Sequence, residues 1–158
     1  MVSLLLFLLL FNCLTGLRGL IAADPEKARE FSGNLARFLR AVVDSEKRKT
    51  IPLREELAIC EDFLRLEELR GRPVTLQTRI GDRDKDTPIP PLTLVTLLEN
   101  AAKHGERNET GSLPVEIVAD RPDAGHIAIR IRQPGSLLSP KKGVNHAGLD
   151  LIRRQLGM

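Results

Sequence analysis

The chain is poor in the residues that stack, cross-link or build metal clusters. It contains no Trp, no Tyr, five Phe and two Cys in 158 residues. Without Trp or Tyr there is little material for stacking bases, so a nucleic-acid platform is disfavoured and no nucleic-acid partner is expected. Cys13 and Cys60 both lie in apolar helical patterns, which predicts small buried side chains rather than a disulfide framework. A reducing compartment fits this pattern best.

An excess of charge of one sign is also missing. The 24 Lys and Arg and the 21 Asp and Glu leave a net charge of +3, and acids are interspersed with bases. The basic isoelectric point is therefore a weak argument for a polyanionic partner. The histidines His104, His126 and His146 are far apart in sequence, and no Cys/His group has the spacing of a metal site.

Long apolar runs are limited to one, from Val2 to Phe11. Its ten residues are too few to cross a bilayer, which requires about 20. Two interpretations remain: a core-forming helix, or the apolar core of a targeting segment with Ile21-Ala22-Ala23 as its cleavage site. No basic residue precedes the run and Arg18 follows it, which favours the core helix.

Helical patterns dominate the N-terminal part of the chain. Asp24-Pro25-Glu26 is a helix start, with a capping Asp, a Pro in the first turn and an acid near the positive end. Apolar residues then recur at spacings of three and four, which predicts a narrow seam for packing against another helix. The predicted partner is residues 3–21, in an antiparallel hairpin. Two helices cannot bury so apolar an arm, so we expect a homodimer through residues 3–45. The seam consists of Ala28, Phe31, Leu35, Phe38 and Val42.

After a basic break at Lys47–Pro52, a third helix is predicted over Leu53–Leu69, with Gly71 ending it. Its acidic residues are assigned to the solvent side: Glu55, Glu56, Glu61, Asp62, Glu67 and Glu68. Alternating apolar residues predict strands at 74–80, 115–118 and 127–131, and the remaining segments are a loop at 81–91, a helix at 92–104, a loop at 133–147 and a closing helix at 149–156. The predicted fold class is α+β, with a helical hairpin over residues 1–48 and an α/β sandwich over residues 49–158.

The most informative segment is Leu94–Gly105. An apolar run passes directly into Glu-Asn and then Lys-His-Gly. On a helix, Asn100, Lys103 and His104 fall at i, i+3 and i+4, so they share a polar face opposite Leu, Val and Ala side chains. Polar groups gathered beside a buried surface, with Gly105 ending the helix, predict a site for a charged ligand.

Four segments resemble the sensor histidine kinases of the LytS type, whose catalytic part has the GHKL (Bergerat) ATP-binding fold. The stretch from Pro90 to Gly105 is similar to the N-box, the most specific of the four. The other three resemble the end of the phosphoacceptor motif Asn-Pro-His-Phe-Leu-Phe-Asn-x-Leu-Asn, the opening of the catalytic domain and the second glycine box. They are Phe11-Asn12-Cys13-Leu14 with Leu17, Ile51–Leu57 with Glu67 and Arg70, and Gly148-Leu149 with Ile152-Arg153.

The resemblance implies an ATP-binding module that uses Mg²⁺ and passes phosphate to a response regulator. Asn100 would be the Mg²⁺ ligand, Glu99 a candidate base, and Lys103 and His104 contacts to the nucleotide. The resemblance also implies a cytoplasmic location, either free or at the inner face of a bacterial membrane, with membrane contact only through a sensor part outside this sequence. The glycine-box positions that would hold the rest of the nucleotide are Gln133, Gly135 and Gly148.

Departures from the family pattern bear on activity. In the register set by Phe11-Asn12, Leu8 stands where the phosphorylated His belongs, and leucine has no nucleophile. Gln133 stands near the Asp that accepts a hydrogen bond from adenine, and a Gln carbonyl is a weaker acceptor than a carboxylate. In the second glycine box, His146 replaces the first glycine. The last strands of the family pattern are missing, so the sheet is expected to be incomplete.

Two functions therefore remain open. One is a two-component histidine-kinase core that lacks its phosphoacceptor and binds ATP-Mg weakly. The alternative is a catalytically inactive pseudokinase that serves as a dimerisation and nucleotide-binding module. An exported or membrane-anchored helical protein would account for Val2–Phe11 but leaves the likeness to the N-box unexplained.

Overall fold

A computed structural model describes residues 4–123 and 126–134 and shows an α+β chain. The described part contains four helices and two small sheets. Apart from β1 and β3, the element types and their order follow the periodicity of the sequence. The elements are α1 Leu4–Ala23, α2 Pro25–Glu46, β1 Ile51–Pro52, α3 Leu53–Leu69, β2 Val74–Ile80, β3 Pro88–Ile89, α4 Thr93–His104, β4 Leu113–Asp123 and β5 His126–Arg132.

The two N-terminal helices are separated by Asp24 alone. Its carboxylate Oδ1 accepts a hydrogen bond from the Lys27 amide at 3.0 Å, which confirms the predicted cap of α2. The predicted apolar seam of α2 is buried along its whole length. Salt bridges Arg37–Asp62 at 2.8 Å and Arg65–Glu30 at 3.6 Å join α2 to α3. Because the partners run in opposite order along the two helices, α2 and α3 are antiparallel.

The third helix spans Leu53–Leu69, as predicted. It ends in a Schellman motif: the Arg72 amide donates to the Glu67 carbonyl and the Gly71 amide donates to the Glu68 carbonyl, each at 2.9 Å. Gly71 has a φ of +71°, which glycine adopts without a Cβ penalty. The prediction that the acidic residues of α3 all face solvent is wrong for two of them, since Glu56 is 0% and Glu67 4% exposed.

Short pairings occur in two segments for which the sequence predicts a break and a loop. In β1 and β3, Ile51 pairs with Ile89 in antiparallel register, and both side chains are buried. The pairing forms because these isoleucines close the same core. It also brings the start of α3 beside the start of α4, and this proximity has consequences for the candidate site.

The larger sheet has the order β2-β4-β5. β4 lies in the centre, parallel to β2 and antiparallel to β5. The parallel pairing requires a crossover, and the chain between β2 and β4 supplies it through α4. The buried face of β4 shows the period of two expected of a half-buried strand, with side chains Leu113, Val115, Ile117 and Ala119.

One core joins the helices to the sheet. Cys13 and Cys60 are buried free thiols, as predicted for small apolar positions. None of the helices in the described part of the chain has the combination of length and hydropathy that a membrane-spanning helix needs. The turn residues Ala124 and Gly125, the loop from Gly135 onward and the predicted closing helix at 149–156 lie outside the described residues. The domain boundary near residue 48 stays a prediction.

Candidate functional site

The helix α4 presents the predicted polar face to solvent. Asn100, Lys103 and His104 are all exposed, on the side opposite the buried Leu94, Leu98 and Ala101. These are the α4 positions that the sequence periodicity predicts.

The end of α4 is fixed by a close approach of β4. The helix ends at His104, and the Gly105 amide donates to the Ala101 carbonyl at 2.7 Å. A Cβ on Gly105 would lie 2.6 Å from Leu113 Cδ1 and 2.8 Å from the Ala101 carbonyl oxygen. Glycine is therefore required at position 105.

The first turn of α4 is held by a carboxylate from another helix. Glu56 on α3 accepts hydrogen bonds from the amides of Leu92, Leu94 and Val95, at 2.9, 3.0 and 3.3 Å. These amides are donors that an α-helix leaves without an internal partner, and negative charge is favourable at this end. Burial nevertheless raises the pKa of Glu56 to about 7, against the opposing effect of the three amide donors.

Leu92 adopts a left-handed conformation immediately before α4. Its φ is 63°, and in the described residues it is the one non-glycine residue with a positive φ. A Leu side chain in this region is strained and persists only where the surroundings fix it. Leu92 is buried, and its amide is bound by Glu56. The carboxylate therefore sets both the start and the direction of the helix.

The residue predicted as a candidate base, Glu99, faces α1 rather than the solvent. It is 6% exposed. Its Oε1 atom accepts a hydrogen bond from Asn12 Nδ2 at 2.9 Å and lies 2.7 Å from Lys103 Nζ. Both donors lie at the same oxygen of a carboxylate that is largely removed from water. Glu99 is thus the residue of α4 that is hydrogen-bonded to α1.

A cavity of about 40 Å³ lies where α1, α3 and α4 meet, beside this contact. Its polar lining includes Glu67, which is bound by Arg70 at 2.7 Å and lies 3.7 Å from Arg72 Nε. Arg72 also donates to the Ala102 carbonyl at 2.8 Å, near the end of α4. The volume is enough for one or a few water molecules. The cluster ties the last turns of α3 and α4 together with charged groups.

Gln133 lies just past the end of β5. Its Oε1 atom is buried and has no hydrogen-bond partner among the described residues. The segment that carries it is close to the end of α4, because the Glu106 amide donates to the Pro134 carbonyl at 3.3 Å. An acceptor left without a partner is costly unless a ligand or water supplies the donor. The structure thus brings the segment that carries Gln133 near the C-terminal end of α4.

The predicted site residues are accounted for in part. Asn100, Lys103 and His104 share α4 with Glu99, and Gln133 follows the neighbouring strand. Leu8 lies one turn before Asn12 on α1 and is 43% exposed. Gly135 and Gly148 lie outside the described residues.

Sequence reasoning missed the roles of Glu56 and Asn12. The signal for Glu56 was its place beside the apolar stripe of α3, where an acid needs a buried partner.

Comparison with known proteins finds sequence similarity over most of the chain. The histidine kinase family profile matches residues 9–73, which run from the inner face of α1 to the residue before β2. The sensor histidine kinase/phosphatase LytS of Staphylococcus aureus is 31% identical to this chain over 134 residues in strains Mu50, N315 and MW2. This chain is a relative of the LytS-type sensor histidine kinases. The matched segment covers 84% of the chain.

The LytS-type relatives are much longer than this chain, which corresponds to 23% of their length. The match therefore concerns one part of such proteins. The activity of the whole protein does not transfer with it. The family profile begins at residue 9, one residue after Leu8, and contains Asn12, Glu56 and Glu67. The matched region thus contains three of the residues that form the polar contacts between the helices and at their ends.

Proposed function

We propose that this chain is the core of a two-component histidine kinase that binds ATP-Mg on the exposed face of α4 and does not phosphorylate itself at position 8. The observation that carries the proposal is the arrangement of α4, where Asn100, Lys103 and His104 are exposed together beside a buried face. Because Glu56 binds the first backbone amides of α4, it fixes the orientation of the helix and therefore of those side chains.

The residues present are suited to magnesium and a nucleotide. Mg²⁺ is typically held by one or two protein oxygens together with phosphate oxygens and water. The amide oxygen of Asn100 on an exposed helix face meets that requirement. In the part of the chain that the structure describes, no group of three or more His, Cys, Asp or Glu could hold a metal ion. When bound with the nucleotide, the ion would supply charge neutralisation for the phosphates.

Gln133 supports an adenine contact. Its buried Oε1 atom has no partner among the described residues and is free to accept a hydrogen bond. An exocyclic amino group is the matching donor. A neutral amide forms a weaker bond than the carboxylate of the family pattern, so we expect weak binding.

The decisive experiment is calorimetric titration of the chain with a non-hydrolysable ATP analogue. Heat of binding is expected with Mg²⁺ and is expected to disappear in Asn100→Ala. Asn100→Asp, which keeps an oxygen in the same place, is the matched control and should retain binding. No heat with the wild-type chain would remove nucleotide binding and leave only a scaffold.

Self-phosphorylation is tested separately, by incubating the chain with ATP-Mg. We expect no phosphohistidine, because Leu8 lacks a nucleophile. A base-stable, acid-labile label on the wild-type chain would contradict this expectation. If this chain has no phosphoacceptor histidine, transfer of phosphate to a response regulator at the inner face of a bacterial membrane would require a histidine from another chain.

The second candidate function is a catalytically inactive dimerisation module. It is favoured by the outer face of α1, where large apolar side chains are exposed although the opposite face is packed. Such a face fits a homodimer through residues 3–45. Light scattering after size exclusion should give a dimer mass for the wild type and a monomer mass for Phe11→Lys, with Thr78→Lys, at an exposed threonine outside residues 3–45, as the control. The exposed apolar residues of α1 are Phe7, Leu8, Phe11, Leu14 and Ile21.

A further inference from the structure

The first helix packs on the core through one face and is joined to α2 by a single residue. Its C-terminal end is joined to α2 by the single residue Asp24, whose backbone is extended at φ −154° and ψ 90°. Its inner face contributes Leu9 and Cys13 to the core, whereas Phe11 on its outer face is 67% exposed. A helix that is joined at one residue and packed on one face can move as a unit about that joint.

The polar contact of α1 with the rest of the described chain is also single. Among the described residues, the hydrogen bond from Asn12 to Glu99 is the one side-chain hydrogen bond that connects α1 to another element. Glu99 receives the ammonium group of Lys103 on the same oxygen atom, Oε1. The docked position of α1 therefore engages two residues of α4, one directly and one through the shared carboxylate.

Gly16 allows the helix to approach α3 closely. A Cβ at this position would lie 2.5 Å from Arg70 Nε and 2.7 Å from Arg70 Cδ. Moving the Arg70 side chain aside would weaken its ion pair with the buried carboxylate of Glu67, which lies at 2.7 Å. By contrast, a Cβ added to Gly19, one turn further along α1, would have no atom within 4 Å. The close contact is thus confined to the part of α1 beside the cavity.

We infer that Asn12, Glu99 and Lys103 form a latch that holds α1 against α4, and that α1 is a strap that swings about Asp24 when this latch opens. In the docked state α1 covers the carboxylate of Glu99, which is paired with Lys103. In the released state this carboxylate faces water, so its pair with Lys103 is screened and Lys103 can exchange it for a nucleotide on α4. The strap is then an autoinhibitory contact, and this consequence rests on the proposed function.

The two cysteines provide a direct measurement of release. Cys13 is on the strap and is buried beside the latch, whereas Cys60 is in the core of α3 and is 0% exposed. Burial raises the pKa of the Cys13 thiol to about 11, so the docked thiol reacts slowly at about pH 8 and labelling reports the released population. Peptide mass spectrometry after timed maleimide labelling distinguishes the two sites.

Loss of the latch should accelerate labelling of Cys13 alone. Asn12→Ala removes the donor to Glu99, and Cys13 labelling is expected to rise about fivefold, as for loss of one ordinary hydrogen bond. Thr15→Ala is the matched control on the same helix, because Thr15 bonds only the Phe11 carbonyl. A wild-type rate in Asn12→Ala, or equal acceleration of Cys13 and Cys60, would overturn the latch, since the latter reports global unfolding.

A second pair of variants tests the strap without touching the latch. Gly16→Ala forces Arg70 away from the helix, whereas Gly19→Ala adds the same methyl group in open space. Both gain helix propensity equally. Faster Cys13 labelling is expected in Gly16→Ala than in Gly19→Ala, and equal rates would contradict the docked arrangement.

The link to the nucleotide is tested by repeating the labelling with Mg²⁺ and a non-hydrolysable ATP analogue. Bound nucleotide should draw Lys103 away from Glu99 and leave that carboxylate buried beneath α1 without its counter-charge, which favours release of α1 and faster Cys13 labelling. If calorimetry shows binding and the labelling rate is unchanged, the autoinhibitory consequence is overturned. If calorimetry shows no binding, the proposed function fails, and the contrast between Asn12→Ala and Thr15→Ala still decides the latch.

Discussion

The two ends of α4 are held in different ways. At the N-terminal end, one fully buried carboxylate, Glu56, binds three backbone amides. At the C-terminal end, side chains of α1 and α4 share the contacts around Glu99, and Lys103 among them is exposed. The first arrangement can open only if the core opens. The contact of Asn12 with Glu99 can open by movement of α1 alone. Arg72 and Leu113 keep the end of α4 in place, so the adjustable feature is the cover of α1 over Glu99.

The largest expected effect comes from removing the buried carboxylate. In Glu56→Ala, the amides of Leu92, Leu94 and Val95 lose their acceptor inside the core, and a cavity is left. We expect a loss of about 3–5 kcal/mol in the free energy of unfolding. Urea denaturation followed by circular dichroism measures it.

Glu55→Ala is the matched control for this loss. Glu55 precedes Glu56 on the same helix but forms a salt bridge with Arg48 in which both side chains are at least 40% exposed. Such pairs contribute at most about 1 kcal/mol. Equal losses in the two variants would show that the N-terminal end of α4 is not specially held.

Stability should also depend on pH through Glu56. Its pKa is raised from 4.5 to about 7 on folding, so between these values the native state binds more protons than the unfolded chain. The free energy of unfolding is therefore expected to fall by up to about 3 kcal/mol as pH rises through that range, and to level off above it. Glu56→Gln, which does not titrate, should lack this part of the slope when both proteins are unfolded in urea from about pH 5 to about pH 8.

At the other end of α4, Gly105→Ala should produce a smaller loss. The added methyl group meets Leu113 and the Ala101 carbonyl, and overpacking of this kind costs about 1–3 kcal/mol. Gly33→Ala in α2 is the control, because its added Cβ meets no atom within 4 Å and should stabilise the chain by about 0.5–1 kcal/mol. Thermal unfolding should shift in opposite directions for the two variants.

Much of this architecture follows from periodicity. The bounds of α3, the start of α2 at Asp24 and the polar face of α4 are predictable because spacing and capping act within a few residues. The short β1–β3 pairing is not, because two-residue strands carry no period. The roles of Glu56 and Asn12 escape prediction for another reason: their partners are 36 and 87 residues away in sequence, beyond the reach of local patterns.

The smallest effect on global stability is expected from Asn12→Ala. The bond to Glu99 is partly buried and Lys103 remains on the carboxylate, so the free energy of unfolding should change by less than about 1 kcal/mol. If α1 moves as a strap, the lost free energy favours release of α1 and leaves global unfolding almost unchanged. Cys13 then becomes reactive while the urea midpoint hardly moves. A large drop in the midpoint would instead mean that α1 and the core unfold together. In that case the two ends of α4 would be held by one cooperative structure, and the distinction between them would disappear.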